Sequence, residues 1–158
     1  MKFSNIAIIG GGNLGTSIAK GILSMNQVTK ENLVICEKRK PRIKYLEDHG
    51  FRVIDSDLEK TVQSTDLIII SVKPQQFIKL LEELKPLLKS GQILISTVTG
   101  ISLSQIENVI GKHPVVRIMP NTAIEIRESM TCLSFNNTSQ EQENEIISFF
   151  DQLGQTIN

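Results

Sequence analysis

The residues best placed to do chemistry in this 158-residue chain are glycines. Gly10, Gly12 and Gly15 form a Gly-x-Gly-x-x-Gly pattern, with Gly11 filling its first gap. The pattern follows the apolar run Ile6 to Ile9 and opens the stripe Leu14, Ile18, Ile22 and Met25. A glycine loop between a strand and a helix is the fingerprint of dinucleotide binding. The first glycine permits the tight turn, the second lets a pyrophosphate approach the backbone, and the third lets helix and strand pack closely. Unpaired N–H groups at Asn13 and Leu14 then point at the phosphates, helped by the helix dipole. A glycine turn that holds no ligand is the alternative.

The next contact is expected about 20 residues past the last glycine, at the end of the second strand. Glu37 lies there, at the head of the segment Cys36 to Arg42. A carboxylate at this place accepts a hydrogen bond from the ribose 2′-hydroxyl and disfavours a 2′-phosphate. Lys38 and Arg39 follow at once and favour that phosphate. Glu37 is free to turn and pair with one of them, and the balance leans to NADPH over NADH.

No catalytic side chain or metal site is expected within the chain. His49 and His113 flank turns and read as surface residues. Cys36 and Cys132 have no CxxC partner and read as reduced, packed thiols. Neither an HExxH pattern nor a GxSxG elbow occurs. Hydride transfer needs none of these, because the cofactor carries the reactive atom.

Short β-rich runs are needed to position the glycine loop. Ile6 to Ile9, Leu33 to Cys36, Arg52 to Ile54, Leu67 to Ile70, Ile93 to Ile95 and Val115 to Met119 read as strands, and Thr131 to Phe135 as an added one. Runs apolar on both faces fit a parallel sheet covered on both sides. Helical stretches alternate with them. Ile43 and Leu46 mark one that Gly50 ends, and Phe77, Leu80, Leu81 and Leu84 mark one that follows Pro74. Ser102 with Gln105, and Ser139 with Gln142, are capping boxes. The last helix carries Ile146, Phe149, Phe150 and Leu153 on one face. This alternation implies an α/β fold, a doubly wound, mostly parallel Rossmann-type sheet with helices on both faces.

Residues 1–158 read as one dinucleotide-binding domain. Lys plus Arg and Asp plus Glu are equal at 17 each, so the basic footprint of a nucleic-acid binder is missing. No run approaches the roughly 18 apolar residues of a membrane helix. Met1-Lys2-Phe3 leads into the first strand without a signal peptide, which suits a cytoplasmic protein. At the other end, Gly154 to Asn158 reads as a helix end passing into a strand cut off as it starts, at a boundary within a longer protein or at an abrupt natural end.

Three later motifs narrow the reading. "SVKPQ" from Ser71, "STVTGISLSQIE" from Ser96 and "RIMPNTA" from Arg117 follow "IIGGGNLG" in that order. Together they resemble the amino-terminal half of pyrroline-5-carboxylate reductase, over nearly the whole chain. The resemblance implies NAD(P)H-dependent reduction of the cyclic imine 1-pyrroline-5-carboxylate to L-proline. It implies that Ile9, Gly10, Gly11, Gly12, Asn13 and Leu14 hold the pyrophosphate, with Lys38 and Arg39 beside the adenosine ribose. Ser71, Val72, Lys73 and Pro74 then line the nicotinamide ribose. Thr97, Val98 and Thr99 reach the nicotinamide, and Asn121, with Thr122, stands where cofactor and substrate meet.

The family's helical carboxyl-terminal domain, which forms the dimer and much of the imino-acid site, has no counterpart here. A homo-oligomer is therefore expected of a full-length protein, and an inactive monomer or weak dimer of this chain. Leu58, Ala123, Arg127 and Ser129 depart from the family's pattern, Arg127 and Ser129 where glycines are common. Those departures leave two alternatives: a non-catalytic nucleotide-binding regulatory paralogue, or a related dehydrogenase acting on another small imine or acid.

Overall fold

A computed structural model describes residues 3–158, so Met1 and Lys2 of the expected lead-in lie outside the described residues. The strands are β1 (Ile6–Ile9), β2 (Leu33–Glu37), β3 (Arg52–Asp55), β4 (Leu67–Ile70), β5 (Ile93–Ser96), β6 (Val115–Met119), β7 (Ser129–Asn136) and β8 (Gly154–Ile157). They form a single sheet in the order β3-β2-β1-β4-β5-β6-β7-β8. Strands β1 to β6 run parallel, β7 is antiparallel to β6, and β8 is parallel to β7. Chain order reverses between β1 and β4. That is the switch point beside which open α/β sheets bind their ligands.

Among the described residues six α-helices cover the sheet: α1 (Asn13–Ser24), α2 (Lys40–Asp48), α3 (Leu58–Val62), α4 (Pro74–Leu84), α5 (Leu103–Ile110) and α6 (Gln140–Asp151). Ile18 and Ile22 of α1, Leu46 of α2 and the Phe149–Phe150 pair of α6 pack on one face, against Ile8, Ile35, Ile69 and Ile118. Val62 of α3, Phe77 and Leu81 of α4, and Ile106 and Ile110 of α5 pack on the other, against Ile68, Ile70 and Leu94. Every residue of β1, β2, β4 and β5 is buried, as strands covered on both faces require. Both capping boxes form: the Ser102 and Ser139 hydroxyls accept from the N–H groups of Gln105 and Gln142, whose side chains accept in return. Pro74 is the first residue of α4, where its missing N–H leaves nothing unsatisfied.

Five expectations are corrected. Helix α3 was not foreseen. Its five residues are too few to show a period, and it is fixed by Asp57, which accepts from the N–H of Lys60. Leu153 is buried but follows the end of α6 rather than lying on it. Cys132 is exposed, because it falls on the open side of β7, whereas Cys36 is buried. His113 is half-buried rather than on the surface. Burial pushes its imidazole pKa down, against a hydrogen bond with the backbone of Gln92. Strand β7 is also longer than Thr131 to Phe135, and it alternates. Ser129, Thr131 and Leu133 are buried, while Met130, Cys132 and Ser134 are exposed.

Candidate dinucleotide site

The β1–α1 loop crosses the switch point, and its glycines differ in what they permit. Gly10 has φ +105°, and a Cβ on it would lie 2.2 Å from the carbonyl oxygen of Ser71. Only glycine turns the chain this close to the end of β4. A Cβ on Gly15 would lie 2.1 Å from the carbonyl oxygen of Gly10, so the first turn of α1 sits directly on the loop. Gly12 is the opposite case, because a Cβ there meets nothing within 4 Å. No packing demand explains that glycine. It leaves open space over the start of α1, room that a pyrophosphate needs to approach the backbone.

The polar groups of the loop divide in the same way. The Ile9 carbonyl accepts from the N–H of Ser71, and the N–H of Gly10 donates to Cys36. The N–H of Gly11 donates to Glu37 Oε2 at 3.0 Å. Its carbonyl accepts from Thr16 Oγ1 at 3.3 Å and from Arg42 Nε. The stretch Ile9 to Leu14 is thereby narrowed. Ile9, Gly10 and Gly11 shape the loop, while the N–H groups of Gly12, Asn13 and Leu14 have no partner among the described residues. Free N–H groups at a helix start are an anion site.

Glu37 does not face the open cleft. Its carboxylate is 4% exposed and pairs with Arg39, with Nη2 2.9 Å from Oε2. Oε1 accepts from the N–H of Lys38 at 2.9 Å, the N–H of Arg39 at 3.0 Å and Arg39 Nε at 3.2 Å. Burial pushes the Glu37 pKa up. The Arg39 side-chain bonds and the two amides outweigh that and hold it at about 2. Of the two expected roles, pairing with Arg39 is the one observed.

Arg42 is a site residue that sequence reasoning missed. From the first turn of α2 its Nη2 donates to Thr16 Oγ1 at 2.9 Å, and its guanidinium lies 4.4 Å from the ring centre of Tyr45. Together with the bond to Gly11 it ties α2 to both loop and α1. The signal available was its place one turn beyond Lys38 and Arg39, in the same basic run. Lys40 pairs with Asp55 at the end of β3. Lys38 is exposed and pairs with no carboxylate among the described residues.

The remaining expected residues also gather at strand carboxyl ends. Ser71 and Val72 are half-buried after β4, and Lys73 and Pro74 are exposed where α4 begins. After β5, the Thr97 hydroxyl donates to the Ile70 carbonyl at 3.1 Å, and Val98 packs its side chain into the core. Thr97 and Val98 therefore offer the cleft only backbone, and Thr99 alone is exposed. After β6, Asn121 is exposed, and its Oδ1 accepts from the N–H of Ala123 at 3.0 Å, capping a short 3-10 turn, Thr122–Ile126. That turn docks on α1, where Glu125 accepts from Lys20 Nζ at 2.8 Å and from Ser17 Oγ at 3.2 Å. Arg127 ends it at φ +63°, which explains why a glycine suits the position, and its Nε donates to the Gln152 carbonyl. Leu58, the first residue of α3, is partly buried against the core cluster that includes Val62 and Phe77.

Among the described residues, no three His, Cys, Asp or Glu side chains gather as a metal would need. No helix among them is long and apolar enough to cross a membrane.

Comparison with known proteins bears directly on this site. The profile of the family described as "NADP oxidoreductase coenzyme F420-dependent" matches residues 5–100, which run from β1 past β5. Pyrroline-5-carboxylate reductase 2 of Dictyostelium discoideum is 40% identical over 134 residues, 82% of this chain and 44% of that protein. The structure of a pyrroline-5-carboxylate reductase from Coxiella burnetii superposes with a TM-score of 0.86 at 28% identity, over 98% of this chain and 58% of that one. Plasmodium falciparum pyrroline carboxylate reductase, solved with NADP bound, gives 0.83 at 25% identity, over 98% of this chain and 56% of that one. The chain thus spans about half the length of these relatives.

Proposed function

The chain belongs to the family of coenzyme F420-dependent NADP oxidoreductases, and from that premise we propose that it is the cofactor-binding part of a pyrroline-5-carboxylate reductase. The activity is the reduction of 1-pyrroline-5-carboxylate to L-proline, the last step of proline biosynthesis. The observation that carries this reading is the open space at Gly12, with unpartnered N–H groups at the sheet's switch point. Similarity to pyrroline-5-carboxylate reductases over most of the chain supports the choice of substrate.

In this reading Gly12, Asn13 and Leu14 bind the pyrophosphate through their N–H groups. Ile9, Gly10 and Gly11 hold the loop in shape. Lys38 and Arg39 meet the adenosine ribose and favour its 2′-phosphate, and with Glu37 paired to Arg39 the preference is for NADPH over NADH. Ser71, Val72, Lys73 and Pro74 line the path to the nicotinamide, and Thr97, Val98, Thr99 and Asn121 border its ring. The bound dinucleotide supplies a hydride. This chain supplies orientation, a fixed electrostatic field and the exclusion of water, but no acid or base of its own. A small imino acid is positioned by residues beyond these 158, in a homo-oligomeric cytoplasmic enzyme.

The test pairs a binding titration with an assay. The 158-residue chain is expected to bind NADPH in solution. A protein that also carries the helical half found in the relatives is expected to oxidise NADPH when 1-pyrroline-5-carboxylate is added. Turnover by the longer protein at background level with both cofactors refutes the reductase reading. Proline formation at a normal rate by the 158 residues alone refutes the division of labour.

A further inference from the structure

An acidic residue at the end of β2 ordinarily marks a site for the unphosphorylated ribose, because its carboxylate accepts from the 2′-hydroxyl. Glu37 occupies that place but is not available for that contact. It accepts five N–H groups: Gly11 N, Lys38 N, Arg39 N, Arg39 Nε and Arg39 Nη2. A carboxylate has about four lone-pair sites, so these donors saturate it. A ribose hydroxyl finds no acceptor here without displacing a bond already made.

The same contacts fix Arg39. Its Nε and one Nη2 proton face Glu37, while the side chain is 57% exposed. A guanidinium has five N–H groups in a rigid planar fork, so holding one edge leaves Nη1 and the outer Nη2 proton turned outward. That outer edge matches a phosphate through two parallel hydrogen bonds. Glu37 Oε2 meanwhile holds the Gly11 amide, which precedes the open space at Gly12.

We propose that Glu37 is a positioning residue for a phosphorylated ribose, holding the free edge of Arg39 toward the 2′-phosphate while it anchors the Gly11 loop. This rests on the dinucleotide reading above and deepens it. One carboxylate sets both the loop that takes the pyrophosphate and the cation that takes the 2′-phosphate. The acidic residue then serves NADPH rather than excluding it.

The experiment measures dissociation constants of NADPH and NADH by calorimetry for the wild type, Glu37→Gln, Arg39→Met and the double variant. Circular dichroism checks that each is folded. The wild type is expected to bind NADPH at least about tenfold more tightly than NADH, and Arg39→Met to remove most of that ratio. Glu37→Gln is expected to lower the ratio about fivefold when Arg39 is present, and to change it less than about twofold when Arg39 is Met. A ribose acceptor behaves otherwise, losing NADH affinity more than NADPH affinity in both backgrounds. That result overturns the proposal. So does an equal loss of both cofactors, which is a loop effect only, or a ratio that rises on Glu37→Gln, which is simple charge cancellation.

If Glu37→Gln does not fold, Arg39→Lys decides instead, because lysine keeps the charge without the fork that Glu37 holds. Positioning requires it to lose most of the ratio, as Arg39→Met does. A ratio kept by lysine overturns the proposal. Failure of the wild type to bind either dinucleotide is a separate result, and defeats the dinucleotide reading itself.

Discussion

Strands β1, β2, β4 and β5 are buried at every residue, whereas β7 at the other side of the sheet alternates buried and exposed positions. The first group is sealed by helices on both faces. Beyond β5, α6 and α1 still cover one face, but Met119, Met130 and Ile157 stay 43%, 45% and 51% exposed on the other. Register places these three with Cys132 on one side of the sheet, since Met119 and Ile157 both pair with Cys132. The difference teaches where rigidity comes from. The glycine loop rests on a completed core and is tied from two sides, by Glu37 and Arg42. The edge is held mainly by strand pairing and by the contact of its 3-10 turn with α1.

The largest effects are expected where the sealed half leaves no space. Gly10→Ala and Gly15→Ala should each destabilise the fold by about 3 kcal/mol or more, because the new Cβ meets a backbone carbonyl near 2 Å. Gly154→Ala makes an equally close contact, at 2.0 Å from Ser129, and also has a positive φ. There β8 lies at the edge of the sheet and pairs with β7 alone among the described strands, so a smaller loss of about 1–2 kcal/mol is expected. Urea denaturation compares the three. Equal losses in both regions break the contrast.

Acid titration probes the tie at Glu37. Its pKa is depressed from 4.5 to about 2 in the folded state, so its stabilisation is complete above pH 4.5 and is lost as pH falls toward 2. The shift corresponds to a contribution on the order of 3 kcal/mol. Glu37→Gln should remove that part of the acid-induced loss, seen as a flatter dependence of unfolding free energy between pH 5 and 2. A variant with the wild-type slope contradicts the assignment.

Smaller changes are expected at the edge. Arg127 sits at φ +63°, so Arg127→Gly relieves strain of about 1 kcal/mol and forfeits one bond to Gln152. The net gain should be under about 1 kcal/mol, visible as a slightly higher melting temperature. Met130→Thr should change stability by no more than about 0.5 kcal/mol, because the side chain is half exposed already. Light scattering at high concentration should show less self-association for this variant, since it removes an apolar group from an open face. A large loss of stability would show that the face is packed.

The two halves also differed in how far they were legible in sequence. Strands β1, β4 and β6 match the runs read as Ile6 to Ile9, Leu67 to Ile70 and Val115 to Met119, because short runs rich in β-branched residues leave little choice. Both capping boxes were readable because each is a local bond between residues three apart. The antiparallel turn into β7 was not readable. It depends on a 3-10 turn capped by Arg127, a left-handed residue that is not glycine. The site divides along the same line. The spacing of Gly10, Gly12 and Gly15 announces the tight strand-to-helix loop that is observed. The direction of Glu37 and the role of Arg42 follow from partners at Gly11, 26 and 31 residues away. No local rule reports them.

The central claim is that Gly12 leaves its space for a dinucleotide and not for the fold. Calorimetric titration of NADPH into the wild type and Gly12→Val, with a thermal melt of each, tests it directly. The added side chain enters open space, so the melting temperature should change little. Affinity for NADPH should fall at least tenfold, or about 1.4 kcal/mol or more. A folded Gly12→Val variant that binds NADPH as tightly as the wild type would contradict the account.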